Sequence, residues 1–123
     1  MNILVTGGTG GLGSAIVRKL AADAENQVYF TYCNSEDVAN AITEELCNTT
    51  AFRCNQRDDT DLNDLTKAIN DWNLDVLVNN AWTGSPEGIR FHKLTLEQLS
   101  CDFTNNVLPT IAVVFPGRIC RLI

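Results

Sequence analysis

The spacing of apolar and polar residues changes period repeatedly along this chain. Ile3-Leu4-Val5 is an unbroken apolar run, and past Gly13 the pattern turns helical, with Ile16, Leu20 and Ala21 on one face. Gln27-Val28-Tyr29-Phe30-Thr31-Tyr32, rich in aromatic and β-branched residues, predicts a second strand. Ser35 is placed to cap the next helix, with Glu36 and Asp37 in its first turn and Val38, Ala41, Ile42 and Leu46 at helical spacing. Ala51-Phe52-Arg53-Cys54 predicts a short third strand. Asp59 or Asp61 then opens a third helix striped by Leu62, Leu65, Ile69 and Trp72. Residues 74–78 are apolar apart from Asp75, as expected of a strand with both faces covered. Thr95-Leu96-Glu97-Gln98 is a capping box, with Leu96, Leu99 and Phe103 behind it. Pro109 and Pro116 argue against a long uninterrupted helix towards the end.

Alternating strands and helices of this kind imply an α/β fold, a Rossmann-like doubly wound parallel sheet of order 3-2-1-4. The ligand crevice of such a sheet lies beyond the carboxyl ends of the strands where their order reverses, here between the first and the fourth. Both of those strands end in distinctive residues. The first runs into Thr6-Gly7-Gly8-Thr9-Gly10-Gly11-Leu12-Gly13 and the fourth into Asn79-Asn80-Ala81. A strand, a glycine-rich turn and a helix form a phosphate-binding device, because the backbone can approach an anion closely and the helix directs its first N–H groups at it.

Composition narrows the partners. The 123 residues are expected to form one domain of ordinary globular composition, with no repeats and no low-complexity tract. The net charge of −6 and the lack of a Lys/Arg cluster argue against nucleic acid or an anionic membrane as partner. The chain has no apolar run approaching a membrane span and no basic leader, and it reads as cytoplasmic. Five cysteines (Cys33, Cys47, Cys54, Cys101, Cys120) are scattered without ligand spacing, which fits reduced thiols. The lone His92 reads as a surface or hinge residue, and no metal site is expected.

The glycine run admits three parses. Gly8-x-Gly10-x-x-Gly13 is the general dinucleotide fingerprint, Thr6-Gly7-x-x-Gly10-x-x-Gly13 resembles the extended short-chain dehydrogenases/reductases, and Thr6-Gly7-x-x-x-Gly11-x-Gly13 resembles their compact single-domain members. Asn79-Asn80-Ala81-Trp82 favours the compact type, which carries Asn-Asn-Ala-Gly at this point. Trp82 departs from that motif, and its indole would either crowd the crevice or fold over its rim. The resemblance implies that a dinucleotide is held by Gly7, Thr9, Gly11, Leu12 and Gly13 in the loop, and by Tyr32, Asn34 and Ser35 after the second strand. It also implies Asn55 pairing through its side-chain oxygen with the adenine amino group, Gln56 flanking the ring, and Asn80 and Ala81 towards the ribose. No acid precedes Glu36 at the end of the second strand, so NADP is favoured over NAD. Phe103-Thr104-Asn105-Asn106-Val107 resembles the segment bearing the family's active-site asparagine. Asn106 is aligned with it, one residue from Asn105.

The resemblance covers residues 1–110, about the first half of a family member. The family's proton donor is a Tyr-x-x-x-Lys motif, yet the only tyrosines here, Tyr29 and Tyr32, are followed four residues on by Cys33 and Glu36. The expectation is therefore a single dinucleotide-binding domain over residues 1–123, truncated after the helix that follows the fourth strand. It would bind NADP(H) or NAD(H) without catalysing reduction alone. Two alternatives stand beside it: an NADP-dependent oxidoreductase completed in trans by another chain, and a non-catalytic binding or assembly module. The fourth strand is expected to form the sheet edge, to be covered either by residues 110–115 folding back as a strand or by a second chain. A homo-oligomer is expected through that edge or through the helix from Thr95.

Overall fold

A computed structural model describes residues 1–84, 95–114 and the strand at 121–122. Five parallel strands form one sheet in the order β3-β2-β1-β4-β5: β1 (Asn2–Val5), β2 (Gln27–Tyr32), β3 (Thr49–Arg53), β4 (Val76–Val78) and β5 (Arg121–Leu122). The helices are α1 (Gly11–Ala21), α2 (Glu36–Glu45), α3 (Asp59–Trp72) and α4 (Leu96–Val114).

Strand alternation sorts the core into two layers. Ile3, Val5, Val28 and Phe30 face one way and bury Val17 and Ala21 of α1 with Ala39 and Ile42 of α2. Leu4 and Leu77 face the other way, against Leu65 and Ile69 of α3 and Val113 of α4. Trp72 closes the second layer, stacked on Tyr29 with ring centroids 4.3 Å apart and edge-on to Phe52 at 5.5 Å. Helices thus cover both faces of the sheet, leaving the carboxyl ends of the strands to carry a site.

Several expectations change in detail. Ala39 rather than Ala41 is buried in α2, since the stripe runs through 35, 38, 39, 42 and 46. Ser35 holds the N-cap position of α2 but makes no side-chain cap hydrogen bond. α3 opens at Asp59, the first of the two expected positions, and the preceding Asp58 caps it, accepting from the Thr60 and Asp61 N–H groups at 2.8 and 3.1 Å. The capping box of α4 forms in both directions: Thr95 Oγ1 accepts from the Gln98 N–H at 3.2 Å and Gln98 Oε1 from the Thr95 N–H at 2.8 Å.

Two corrections concern the end of the chain. Residues 110–114 are helical rather than extended, because α4 runs through Pro109 to Val114. Proline removes the N–H that would bond the carbonyl four residues earlier, here that of Asn105. The Thr83 hydroxyl lies 3.3 Å from that carbonyl and 3.1 Å from Asn106 Oδ1, so its single proton is shared between them and the break in the ladder is only partly compensated from outside the helix. The second correction is that β4 is not the edge of the sheet. β5 pairs with it in parallel, Val76 opposite Arg121 and Leu77 opposite Leu122, so assembly through an open β4 edge is excluded in this structure. Residues 85–88 of the loop after β4, His92, Pro116 and Cys120 lie outside the described residues.

Candidate dinucleotide site

The site begins with how β1 meets β4. Thr6, buried just past β1, accepts at Oγ1 from the Asn80 and Ala81 N–H groups, both at 3.1 Å. The Asn80 carboxamide donates to the Thr6 and Gly7 carbonyls, again at 3.1 Å. Thr31 fastens the other side of the loop, its Oγ1 accepting from the Gly7 N–H at 3.0 Å and its carbonyl from the Gly8 N–H at 2.8 Å. The glycine turn is thereby fixed to both neighbouring strands.

The glycines then divide by what surrounds them. Gly7 has φ +68°, a left-handed conformation, and a Cβ there would lie 2.9 Å from the Ala81 backbone. A Cβ on Gly13 would run into the Gly7 carbonyl and the Asn80 carboxamide, so α1 can pack this close only with glycine. A Cβ at Gly10 would touch only the Gly7 carbonyl, at 3.6 Å, and one at Gly11 would meet nothing within 4 Å. Gly7, Gly13 and also Gly8, which packs on Phe30, hold the turn together, whereas Gly10 and Gly11 leave open space over the helix end.

That helix end differs from the others. No side chain caps α1, and its first turn carries no acid. By contrast α3 is capped by Asp58, and α2 carries Glu36 and Asp37 in its first turn. The N–H groups at the start of α1 therefore present an anion site with no built-in competitor.

A cavity of about 440 Å³ lies over this end of the sheet, within the range for small-molecule sites. Of the positions expected from sequence, Gly7, Thr9, Leu12, Gly13, Tyr32, Asn34, Ser35, Asn55, Gln56, Asn80 and Ala81 line it. Gly11 sits beside it without lining it, and Asn106 reaches it only through Thr83. Asn106 Oδ1 accepts from the Thr83 N–H at 2.8 Å and from its hydroxyl at 3.1 Å, while Asn105 points instead to the Cys101 thiol. Asn55 Oδ1 accepts from the Arg57 N–H at 3.1 Å and so shapes the turn after β3.

Trp82 does not fill the cavity. Its indole is 68% exposed at the rim and lies over Gly84, where no Cβ would fit. Sequence reasoning missed Thr31, Thr83, Arg57 and the cysteines of this site. The Arg57 guanidinium donates to the Thr83 carbonyl at 2.5 Å and so ties the turn after β3 to the segment after β4. Cys33 and Cys54 both line the cavity. Burial pushes the Cys54 thiol up to about 12, with the Asp61 carboxylate adding to the shift. Among the described residues no cluster of three His, Cys, Asp or Glu side chains could hold a metal, and no helix is long and apolar enough to cross a membrane.

A glycine turn fastened by a strand-end asparagine, an open helix N-terminus and an adjoining cavity are joined by a decisive comparison: the family model for short chain dehydrogenase matches residues 1–115. The chain belongs to the short-chain dehydrogenase family. The cyclic-di-GMP-binding biofilm dispersal mediator protein of Escherichia coli (strain K12) is 37% identical over 82 residues, which are 67% of this chain and 33% of that protein. The short-chain dehydrogenase/reductase from Serratia marcescens BCRC 10948 superposes with a TM-score of 0.76 at 30% identity, covering 94% of this chain and 49% of that one. A short chain dehydrogenase from Burkholderia cenocepacia J2315, solved in complex with NADP, gives 0.73 at 30% identity over 94% of this chain and 48% of its own. The chain thus spans about half the length of the short-chain dehydrogenase structures it matches.

Proposed function

We propose that this short-chain dehydrogenase chain binds NADP(H) by its adenosine and pyrophosphate portions and does not catalyse reduction alone. The observation that carries the reading is the uncapped, acid-free start of α1 opening into the cavity beside Gly10 and Gly11. The pyrophosphate would lie against the N–H groups of Gly11, Leu12 and Gly13. Asn55 and Gln56 would flank the adenine, and Asn80 and Ala81 would meet the ribose nearer β4. At the end of β2, Asn34 and Ser35 offer hydrogen bonds where many NAD sites place a carboxylate, which supports NADP over NAD. The Burkholderia relative, crystallised with NADP, supports the same choice.

When bound, the nicotinamide ring supplies a hydride or accepts one. Asn106 holds Thr83 in place at the cavity wall, but the sequence contains no Tyr-x-x-x-Lys to supply the proton. A second reading is an oxidoreductase completed in trans by another chain, which would have to supply the proton donor that this sequence lacks. Self-association through α4 draws support from its exposed Leu96, Phe103, Val107 and Ile111.

The test is calorimetric titration with NADP⁺, NAD⁺ and adenosine 2′,5′-bisphosphate. Saturable binding with NADP⁺ the tightest is expected, and at 100 times the dissociation constant the ligand should add about 2.7 kcal/mol of stability. A folded protein that binds none of the three would overturn the reading.

A further inference from the structure

Cys33 directly follows β2 and Cys54 directly follows β3. The two strands pair in parallel with Thr31 opposite Phe52 and Tyr32 opposite Arg53, so the next positions to face each other are Cys33 and Cys54. The ladder reaches that point, since the Cys54 N–H donates to the Tyr32 carbonyl at 2.7 Å. Alternation carried one residue past each strand end assigns both cysteines to the face shared by Thr31 and Phe52. Cys54 packs in the same core layer as Phe52 and Tyr29. Paired strands run about 4.8 Å apart, inside the Cα separation that a disulfide spans. Both thiols line the cavity, and both are reduced. They differ in access: Cys54 is buried, whereas Cys33 is half-buried with its thiol 3.5 Å from Asn34 Oδ1.

We propose that Cys33 and Cys54 form an oxidation-sensitive dithiol in the wall of the cavity, which hydroperoxides convert to a disulfide between the ends of β2 and β3. The accessible Cys33 sulfur attacks the peroxide, forming an S–O bond as the O–O bond breaks, and leaves a sulfenic acid with one water. The Cys54 sulfur then displaces that oxygen. The S–S bond forms, the S–O bond breaks, and the oxygen departs as a second water carrying the Cys54 proton. In sum two thiols lose two hydrogens and hydrogen peroxide becomes two waters. Because burial disfavours the Cys54 thiolate, the order of attack is fixed with Cys33 first. The pair requires no bound nucleotide, so it stands or falls separately from the proposed function.

The test uses the full chain with Cys47→Ser, Cys101→Ser and Cys120→Ser, treated with hydrogen peroxide and read by intact mass and peptide mapping. The expected result is loss of two hydrogens, one peptide pair joining Cys33 to Cys54, and full reversal by dithiothreitol. Adding Cys33→Ser should abolish the crosslink without touching the buried thiol. Adding Cys54→Ala should leave a sulfenic acid on Cys33 that dimedone captures. Progressive oxidation of Cys33 to the sulfinic acid, with Cys54 still alkylated after unfolding, would overturn the proposal. So would an unchanged mass under peroxide that oxidises free cysteine.

Discussion

The carboxamide oxygen of Asn106 accepts two hydrogen bonds from Thr83, at 2.8 Å from the backbone N–H and at 3.1 Å from the hydroxyl. The same hydroxyl lies 3.3 Å from the Asn105 carbonyl, which Pro109 leaves without a helical donor. One threonine therefore joins the segment after β4 to the middle of α4, at the wall of the cavity. Replacing Asn106 with Ala leaves the half-buried Thr83 N–H without its acceptor. The expected loss is about 1–3 kcal/mol of unfolding free energy by urea denaturation. Asn105→Ala, whose half-buried side chain reaches only the weakly accepting Cys101 sulfur, should cost less, within about 0.5 kcal/mol. Equal losses for both variants would mean that α4 is not held here by Asn106.

The loop glycines separate folding from ligand access. At Gly13 an added methyl collides with the Gly7 carbonyl and Asn80, so Gly13→Ala should lower the melting temperature and weaken NADP⁺ binding together. At Gly11 the methyl enters open space at the first position of α1. Gly11→Ala should therefore fold as well as the parent, or up to about 1 kcal/mol better, while binding NADP⁺ more weakly. Thermal shift with and without nucleotide reads both effects. A Gly11→Ala protein that keeps its full affinity would place the pyrophosphate elsewhere.

Much of this was legible in the sequence, because strand and helix periods differ and glycine has few substitutes at crowded turns. The order of the first four strands, the glycine turn and the asparagine after β4 all followed from local pattern. Long-range compensation was not legible. Pro109 reads as a helix breaker until Thr83, 26 residues earlier, is seen with its hydroxyl 3.3 Å from the carbonyl it leaves unpaired. The pairing of β5 with β4 was equally hidden, since two residues carry no periodicity. Cys33 and Cys54 looked scattered because 21 positions separate them in sequence, and only the β2–β3 register makes them neighbours.

Trp82 tests whether the departure from the family's glycine matters to the site. The indole lies exposed at the rim over Gly84 and contributes little core. Trp82→Gly should change stability by no more than about 0.5 kcal/mol. Its effect on NADP⁺ affinity by calorimetry should stay within a factor of about 10, which is 1.4 kcal/mol. A variant that gains binding the parent lacks would show instead that the indole closes the cavity.

On α4, Phe103, Val107 and Ile111 recur every fourth residue and are all exposed, which leaves an apolar stripe uncovered. If the stripe mediates self-association, Phe103→Glu should shift sedimentation at micromolar concentration from oligomer towards monomer, with the circular dichroism spectrum unchanged. A parent protein that sediments as a monomer would remove this role from the stripe.

The Cys54 thiol gives a pH dependence whose sign can be worked out. Burial raises it most, then the Asp61 carboxylate and Cys33, with Asp58 adding and Arg53 opposing, from 9.0 to about 12. In the unfolded chain those influences are lost, so the thiol ionises near its ordinary value while the native thiol keeps its proton. The native state then binds more protons across the interval, and stability falls as pH rises. The contribution should be complete below pH 9.0 and lost progressively towards pH 12. Cys54→Ala introduces a cavity and an offset that does not depend on pH, but it removes this slope. The difference between parent and variant in urea denaturation should therefore narrow as pH increases. Parallel stability curves through that range would show that the native thiol ionises as readily as the unfolded one, and that Cys54 is not shielded at the end of β3.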